Sequence, residues 1–182
     1  TRYVLFMGRT IEEKNVGLLR DWFEQARSTL PADLKLVMVG QGPLQNAWRD
    51  DPRIIQLPHV SEDEKWRLMQ RCVALVMPSL LESFSLVTLE AWLAGRPVIV
   101  HADCKATTLH IARSGGGSAV CNAEHFAQAL TAFLDNPAEA RQKALRGRDY
   151  VLAHFSENAV KLRLEYAVEI IARAPDTVDK PL

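Results

Sequence analysis

The segment from Pro78 to Ala91 carries the residue types in this chain that are best suited to chemistry. It leaves an apolar run, turns through small polar residues and enters a helix, with Glu82 before the turn and Glu90 after it. The free amides and the positive dipole end at the start of a helix favour an anion such as phosphate. Carboxylates accept hydrogen bonds from hydroxyl groups. Together these groups provide what a phosphorylated sugar requires.

A second group of residues, Gly8, Arg9 and Lys14, follows the first apolar run of the chain. A glycine lets the backbone approach a ligand closely. The two cations can flank a diphosphate, because Arg bridges two phosphate oxygens and Lys supplies a point charge. The alternative interpretation is a glycine turn between solvated charges, and these residues alone leave both interpretations open.

The spacing of Glu82 and Glu90 is not informative by itself, since Glu157 and Glu165 share it inside another predicted helix. Glu90 could simply complement the dipole near the start of its helix. Beside a bound phosphate, however, its carboxylate would be repelled, so it would need a hydroxyl partner such as a ribose. Ser85 is predicted to be the N-cap residue of the same helix.

Six short apolar runs predict the strands of a parallel sheet, because they lack the alternation typical of strands with one solvated face. They are Tyr3–Met7, Leu36–Val39, Ile54–Leu57, Ala74–Met77, Val98–Val100 and Ser118–Val120. Helical patterns lie between these runs and continue after Pro137 and from about Glu157. The predicted fold is therefore α/β and Rossmann-like, an open parallel sheet of about six strands with helices on both faces.

Local signals mark several boundaries in the chain. Ser61 and Glu64 form a capping-box pattern that opens a helix, and the helix from Leu86 should stop at Gly95. The triplet Gly115–Gly117 follows a helix and precedes a strand, which is the wrong order for a dinucleotide fingerprint. It is predicted to be a flexible connection.

The loops that follow parallel strands meet at one edge of the sheet, where ligands bind in open α/β folds. The predicted loops are Gly8–Asn15, Gly40–Pro43, Pro58–Ser61, Pro78–Ser85 and His101–Thr107. They contain most of the unusual residue choices in the chain, so we expect the ligand site at this edge.

Composition excludes several classes of function. The chain has 182 residues, of which 48% are hydrophobic and 24% charged, as is ordinary for a globular domain. Its 22 basic and 22 acidic residues balance, so no net charge favours nucleic acid or an acidic membrane. No apolar run approaches the length that spans a bilayer. We expect residues 1–174 to form one domain cut from a longer protein, and 175–182 to form a tail.

Three widely spaced cysteines, Cys72, Cys104 and Cys121, form no C-x-x-C pair. An odd number without a framework indicates a reducing compartment, and hence a cytoplasmic protein with neither disulfides nor zinc. Cys72 and Cys121 are predicted to be small apolar residues of the core.

Four motifs, in this order and spacing, resemble the carboxyl-terminal, donor-binding domain of retaining glycosyltransferases with the GT-B fold, often called family 4. They are Gly8-Arg9 with Glu13-Lys14, Leu36–Pro43 with its two glycines, Pro78–Phe84, and Leu89–Val98. The resemblance covers about residues 3 to 170. It implies one half of a GT-B enzyme, whose acceptor-binding amino-terminal domain would lie outside this chain. The last helix would normally return towards that domain, so we expect it to expose some apolar surface.

The resemblance also implies roles for the matching residues. Arg9 and Lys14 would hold the donor diphosphate and, with Glu82 near the hydroxyls of the transferred sugar, form the catalytic set. Glu90 would bond the nucleotide ribose, amides near residues 85–87 would touch the phosphate, and the loop after the third strand would border the nucleobase. The remaining donor-binding positions are Gly8, Pro58, His59, Val60, Phe84, Ser85, Leu86 and Val87.

Two departures from the family pattern bear on the sugar side of the site. Ser85 stands where the family usually has Gly after Phe, and His101–His110 replaces the usual Gly-Gly-x-Pro-Glu segment. The diphosphate and ribose assignments are unaffected. Neither the spacing of His101, His110 and Cys104, to which Asp103 adds only an oxygen ligand, nor the resemblance favours a metal site, so we expect no metal and no other cofactor.

These observations predict a domain that helps to transfer a sugar, with retention, from a nucleoside diphosphate sugar to a saccharide or lipid-linked acceptor, as in polysaccharide or lipopolysaccharide synthesis. The acceptor would bind through the missing domain, no nucleic acid is expected as a partner, and the complete protein could associate with the inner face of the membrane. Two alternatives stay open: a sugar-nucleotide epimerase of the same fold, and a non-catalytic nucleotide-binding α/β domain.

Overall fold

A computed structural model of the chain describes residues 1–44 and 46–173, and the tail expected over 175–182 lies outside these residues. Its strands form one sheet in the order β3-β2-β1-β4-β5-β6, in which every neighbouring pair is parallel. The strands are β1 (Tyr3–Met7), β2 (Lys35–Val39), β3 (Ile54–Leu57), β4 (Leu75–Met77), β5 (Val98–His101) and β6 (Gly117–Val120). The predicted parallel sheet is confirmed, with strand ends that differ by at most one residue.

Seven α-helices lie within the described residues. They are α1 (Val16–Gln25), α2 (Glu62–Arg71), α3 (Leu86–Leu93), α4 (Lys105–Ser114), α5 (Ala123–Asp135), α6 (Pro137–Phe155) and α7 (Glu157–Arg173). Helix α1 packs against α5, whereas α6 packs against α3 and α4. Right-handed crossovers place helices on opposite faces when the strand order runs outward in two directions. The four inner strands, β1, β2, β4 and β5, are therefore buried on both faces, which is why their sequences are continuously apolar.

Helix α2 begins where the capping-box pattern predicts. The Ser61 hydroxyl accepts a hydrogen bond from the Glu64 amide at 3.3 Å, and the Glu64 carboxylate accepts one from the Ser61 amide at 2.8 Å. These reciprocal bonds satisfy two amides that the helix itself cannot.

Two predictions for residues 101–121 are wrong. The loop expected over His101–Thr107 is shorter, because α4 already begins at Lys105. Cys121, expected in the core, is exposed, with its Sγ 3.3 Å from Nδ1 of His125. Cys72 is buried as predicted, and burial raises the pKa of its thiol to about 12.

The Gly115–Gly117 triplet packs tightly, contrary to the flexible connection that we predicted. Trp92 of α3 is fully buried, and its Nε1 donates a hydrogen bond to the Gly116 carbonyl at 2.7 Å. A Cβ on Gly116 would lie 2.5 Å from the Trp92 ring, and Gly117 belongs to β6. Gly116 is required because the indole ring occupies the space where its side chain would be, and Gly117 because its Cβ would lie 2.1 Å from the Val98 carbonyl oxygen.

Helix α7 leaves its apolar side chains in solvent, as the sequence suggests for the last helix. None of its residues is buried, and Leu164, Val168 and Ile171 are each more than half exposed. No helix in the described part of the chain combines the length and apolarity needed to cross a bilayer.

Gly147→Ala tests the packing around Trp92. Ala normally stabilises a helix interior relative to Gly by about 1 kcal/mol, but a Cβ at position 147 would lie 2.4 Å from the indole ring of Trp92. We expect a net loss of about 1–3 kcal/mol in the free energy of unfolding, typical of an overpacked core. Urea denaturation followed by circular dichroism measures it.

Gly17→Ala in α1 is the matched control, because no atom lies within 4 Å of the added Cβ. This variant should be neutral or slightly more stable than the wild type. Equal stability of the two variants would show that Trp92 does not restrict position 147.

Candidate functional site

The predicted site lies at the carboxyl ends of the two central strands. β1 and β4 are neighbours, with Leu5 opposite Leu75, so the loops over residues 8–15 and 78–85 face each other. Between them lies a cavity of about 440 Å³. Its lining includes seven of the predicted residues, namely Gly8, Lys14, Glu82, Phe84, Ser85, Leu86 and Val87. We call this the donor-edge cavity.

An ion pair joins the two loops. Nζ of Lys14 lies 2.7 Å from Oε1 of Glu82, and the side chains are 22% and 9% exposed. The neighbouring Asn15, in the left-handed conformation with φ 55°, donates a hydrogen bond from Nδ2 to the Pro78 carbonyl at 3.1 Å. These two contacts fix the distance between the loops. Asn15 did not stand out in the sequence, although its residue type is one that adopts positive φ most easily.

Ser85 occupies the N-cap position of α3, but its side chain does not cap the helix. Its φ of 64° and ψ of 66° are left-handed, and its hydroxyl bonds that of Thr88 at 2.9 Å instead of a backbone amide. This left-handed conformation is one that glycine adopts without the steric cost that a side chain brings. No side chain caps α3, and the Thr88 amide bonds the Ser85 carbonyl at 3.0 Å, so the amides of Leu86 and Val87 remain available to a ligand.

His110 supports the loop over residues 78–85 through a contact with Phe84, a role that the sequence did not reveal. Its Nε2 lies 3.1 Å from the Phe84 carbonyl oxygen, and its Nδ1 lies 3.0 Å from the Tyr150 hydroxyl. Since a carbonyl can only accept, Nε2 carries the proton and Nδ1 accepts from Tyr150. The rings of Phe84 and Phe155 pack edge-on around the imidazole, at 5.0 and 5.8 Å between centroids. Burial lowers the pKa of His110.

Glu90 lies on α3 and is paired with Lys65 of α2. Nζ of Lys65 is 2.7 Å from Oε1 of Glu90 and 3.2 Å from Oε2 of Glu62. Burial acts to lower the pKa of Lys65, but the hydrogen bonds to the two carboxylates outweigh it, so the pKa is raised. Lys65 therefore stays charged and holds Glu90, a function that no sequence motif indicated.

Five predicted residues do not line the donor-edge cavity. Arg9 follows β1 but is exposed, and it forms no ion pair with any residue that the structure describes. Pro58, His59 and Val60 follow β3, which lies two strands away from β1, and Glu90 lies outside the lining as well. All five still belong to elements that reach the carboxyl edge of the sheet.

The atypical segment after β5 is built into the core. His101 is buried and its ring stacks on that of Trp22, with 5.5 Å between centroids. Cys104 is also buried. Across residues 1–44 and 46–173, no three His, Cys, Asp or Glu side chains converge in a way that could hold a metal ion.

The family described as glycosyl transferases group 1 matches residues 1–136, and the chain belongs to this family. The glycogen synthase of Mycobacterium tuberculosis is 28% identical over 166 residues, which cover 86% of this chain and 40% of that enzyme. The chain therefore spans about two fifths of the length of that relative.

Three solved structures share the fold. Sucrose-phosphate synthase from Thermosynechococcus elongatus gives a TM-score of 0.78 at 24% identity, over 95% of this chain and 46% of that one. Anabaena HepE, solved with UDP and glucose, gives 0.75 at 17%, over 94% and 48%. The C-terminal domain of LpcC, a group 1 family glycosyl transferase from Francisella tularensis, gives 0.72 at 18%, over 86% and 87%. The prediction of a Rossmann-like, GT-B glycosyltransferase domain is confirmed.

A titration of stability tests the role of His110. Because its pKa is lowered in the folded state, the unfolded chain binds the proton more tightly. The stabilisation is complete above the ordinary histidine pKa of about 6.5 and is lost as the pH falls below it. We expect the free energy of unfolding to decrease from pH 7 to 5, and to decrease less in His110→Gln. Urea denaturation at each pH measures it.

His125→Gln, which replaces an exposed histidine, is the control and should keep the pH dependence of the wild type. An unchanged pH dependence in His110→Gln would mean that another group causes the loss of stability.

Proposed function

We propose that this domain binds the nucleoside diphosphate sugar donor of a retaining glycosyltransferase. The observation that carries the proposal is the donor-edge cavity, where Lys14, Glu82 and the uncapped start of α3 meet. A cation and free helix amides suit a diphosphate, and a carboxylate suits sugar hydroxyls. Three other cavities of the described residues lack this combination.

The residues of the donor-edge cavity would contribute to catalysis by stabilising negative charge. When the bond between the sugar and the diphosphate breaks, negative charge grows on the departing phosphate oxygens. Lys14 and the first amides of α3, which share the cavity, would stabilise that charge together with Arg9. Preorganised electrostatic stabilisation of this kind is commonly the largest contribution to catalysis.

Glu82 and Glu90 would recognise the two sugar rings of the donor. Glu82 lines the cavity, so its carboxylate would accept hydrogen bonds from the transferred sugar. Glu90 lies further along α3 and would accept hydrogen bonds from the ribose, with Lys65 fixing its orientation. The loop over residues 58–60 would border the base. UDP is the nucleotide bound to Anabaena HepE, which supports a nucleoside diphosphate as the ligand here.

The acceptor would bind outside these residues. The chain matches about two fifths of the mycobacterial relative, and it resembles a C-terminal domain that was solved by itself. An amino-terminal domain would provide the acceptor site, for a saccharide or a lipid-linked glycan, and would cover the donor-edge cavity. The balanced charge of the chain does not favour nucleic acid as a partner, and the odd number of cysteines without a framework supports a cytoplasmic protein.

Lys14→Gln and Arg9→Gln test the diphosphate site. UDP, GDP and ADP are first titrated by calorimetry, and the nucleotide that binds is then compared with its nucleoside. Each variant should bind the nucleotide at least about tenfold more weakly, since one charge-assisted hydrogen bond is lost, and should bind the nucleoside normally.

Arg49→Gln is the control, because Arg49 is 78% exposed and distant from the cavity. Wild-type affinity for the nucleotide in both site variants, or no binding of any of the three nucleotides, would contradict the proposal.

Glu90→Gln tests the ribose contact with a matched pair of ligands. The variant should weaken binding of the nucleotide, but it should have little effect on the 2′-deoxy or the 3′-deoxy form, depending on which hydroxyl Glu90 binds. The loss should be at least about tenfold, since a hydrogen bond to a charged group contributes about 1.5–3 kcal/mol. Glu165→Gln on the exposed helix α7 is the control. Equal losses for all three nucleotides would show that Glu90 acts on something other than the ribose.

A further inference from the structure

A second cleft, of about 860 Å³, lies away from the donor-edge cavity. Five arginines line it, and none of the described residues that line it is Asp or Glu. We call it the cationic cleft, and its arginines are Arg2, Arg71, Arg96, Arg141 and Arg148. They make up five of the chain's 22 basic residues, although the chain as a whole has no net charge.

The fold brings these arginines together at the amino-terminal edge of the sheet. Arg2, Arg71 and Arg96 precede β1, β4 and β5, the strands at and beside its centre. Arg141 and Arg148 come from α6 at a spacing of seven residues, which places them on one face of the helix. The donor-edge cavity lies at the other end of the same strands. With a rise of about 3.3 Å per residue, a strand the length of β1 separates the two edges by roughly 15 Å.

The arginines of the cationic cleft are poorly neutralised. Arg2 pairs with Asp33 at 2.7 Å, in an exposed position where such a pair contributes little. Arg71, Arg141 and Arg148 have no carboxylate within 4.0 Å among the described residues.

Arg96 supplies an additional sign of an incomplete site. One of its guanidinium nitrogens donates a hydrogen bond to the Gln70 carbonyl, but its Nε is buried and has no hydrogen-bond partner in the described structure. A buried donor without a partner is costly. Holding several guanidinium groups in one cleft is also unfavourable unless an anion joins them.

The chemistry of the cleft selects the kind of anion. Guanidinium groups bind phosphate through paired hydrogen bonds, more specifically than an ammonium group does. The start of α6, at Pro137 and Ala138, also lines the cleft, although Asn136 already caps the Glu139 amide at 3.1 Å, so the helix adds little beyond the arginines. Pro97, Phe133 and Leu134 provide an apolar wall that would contact the carbon skeleton of the ligand.

We propose that the cationic cleft is a second ligand site, which binds the phosphate group of a phosphorylated molecule independently of the donor-edge cavity. The two sources of such a group are a soluble phosphate ester and the headgroup of an anionic phospholipid. The proposal does not rest on the function assigned to the donor-edge cavity, because none of its residues is shared with that cavity.

The test uses the 182-residue chain with inorganic phosphate and glycerol 3-phosphate as soluble probes. Binding is followed through the arginine Nε–H signals in ¹H–¹⁵N NMR spectra. We expect signals of the cleft arginines to shift with saturation. In Arg141→Gln/Arg148→Gln, affinity should fall at least about tenfold, whereas Arg49→Gln/Arg173→Gln, which removes the same charge elsewhere, should keep wild-type affinity.

Sedimentation with vesicles identifies whether the phosphate group comes from a lipid headgroup or from a soluble ester. Vesicles of phosphatidylglycerol and phosphatidylcholine in equal amounts are compared with phosphatidylcholine alone. Retention on the anionic vesicles that the cleft variant loses and the charge-matched control keeps would assign a lipid headgroup. Binding of glycerol 3-phosphate without vesicle retention would assign a soluble ester.

Three results would overturn the proposal. The first is equal affinity of the wild type and the cleft variant for both soluble probes and for vesicles. The second is equal loss in the charge-matched control, which would indicate attraction to net charge only. The third is loss of the arginine shifts in Lys14→Gln, which would assign the phosphate to the donor-edge cavity.

Discussion

The site depends on one contact between strands, the parallel pairing of β1 with β4. From this pair, the chain adds β2 and β3 on one side and β5 and β6 on the other. Because the two halves of the sheet grow in opposite directions, no connection covers the carboxyl ends of the middle strands, and a crevice opens there. Lys14 follows β1 and Glu82 follows β4, so their ion pair spans this crevice. A change in strand order would remove the site even if every side chain were kept.

On the proposed function, the ion pair between Lys14 and Glu82 also links recognition of the diphosphate to recognition of the sugar. The Glu82 side chain is only 9% exposed, so its carboxylate depends on Lys14 for compensation. A diphosphate that drew Lys14 away would leave a poorly solvated charge, which is unfavourable. A sugar hydroxyl that donates to Glu82 would offset that cost. On the proposed function, the complete donor therefore gains an interaction that a nucleoside diphosphate without its sugar lacks.

The fold could be predicted from the sequence because strands buried on both faces are continuously apolar, and each predicted strand coincides with an observed one. The site could be predicted from the sequence only in part. The segments that follow β1 and β4 contain residue types that indicate a ligand site by themselves. In contrast, Asn15, Lys65 and His110 act through partners that lie 63, 25 and 26 residues away in the sequence. No local pattern indicates such contacts. The predictions for Cys121 and Gly115–Gly117 were wrong for the same reason, since burial and close packing depend on residues distant in sequence, such as Trp92.

Helix α6 reaches both edges of the sheet at which we propose ligand sites. Tyr150 bonds His110 behind the donor-edge cavity, and Arg141 lines the cationic cleft about 14 Å along the helix, at about 1.5 Å per residue. A shared helix couples two sites only if it has two positions that the ligands distinguish. Gly147 lies between these residues and packs on Trp92 without space for a Cβ. Such close packing opposes any sliding of α6 past α3. The helix therefore holds each site in place without relaying changes between them, and ligands at the two edges should bind independently.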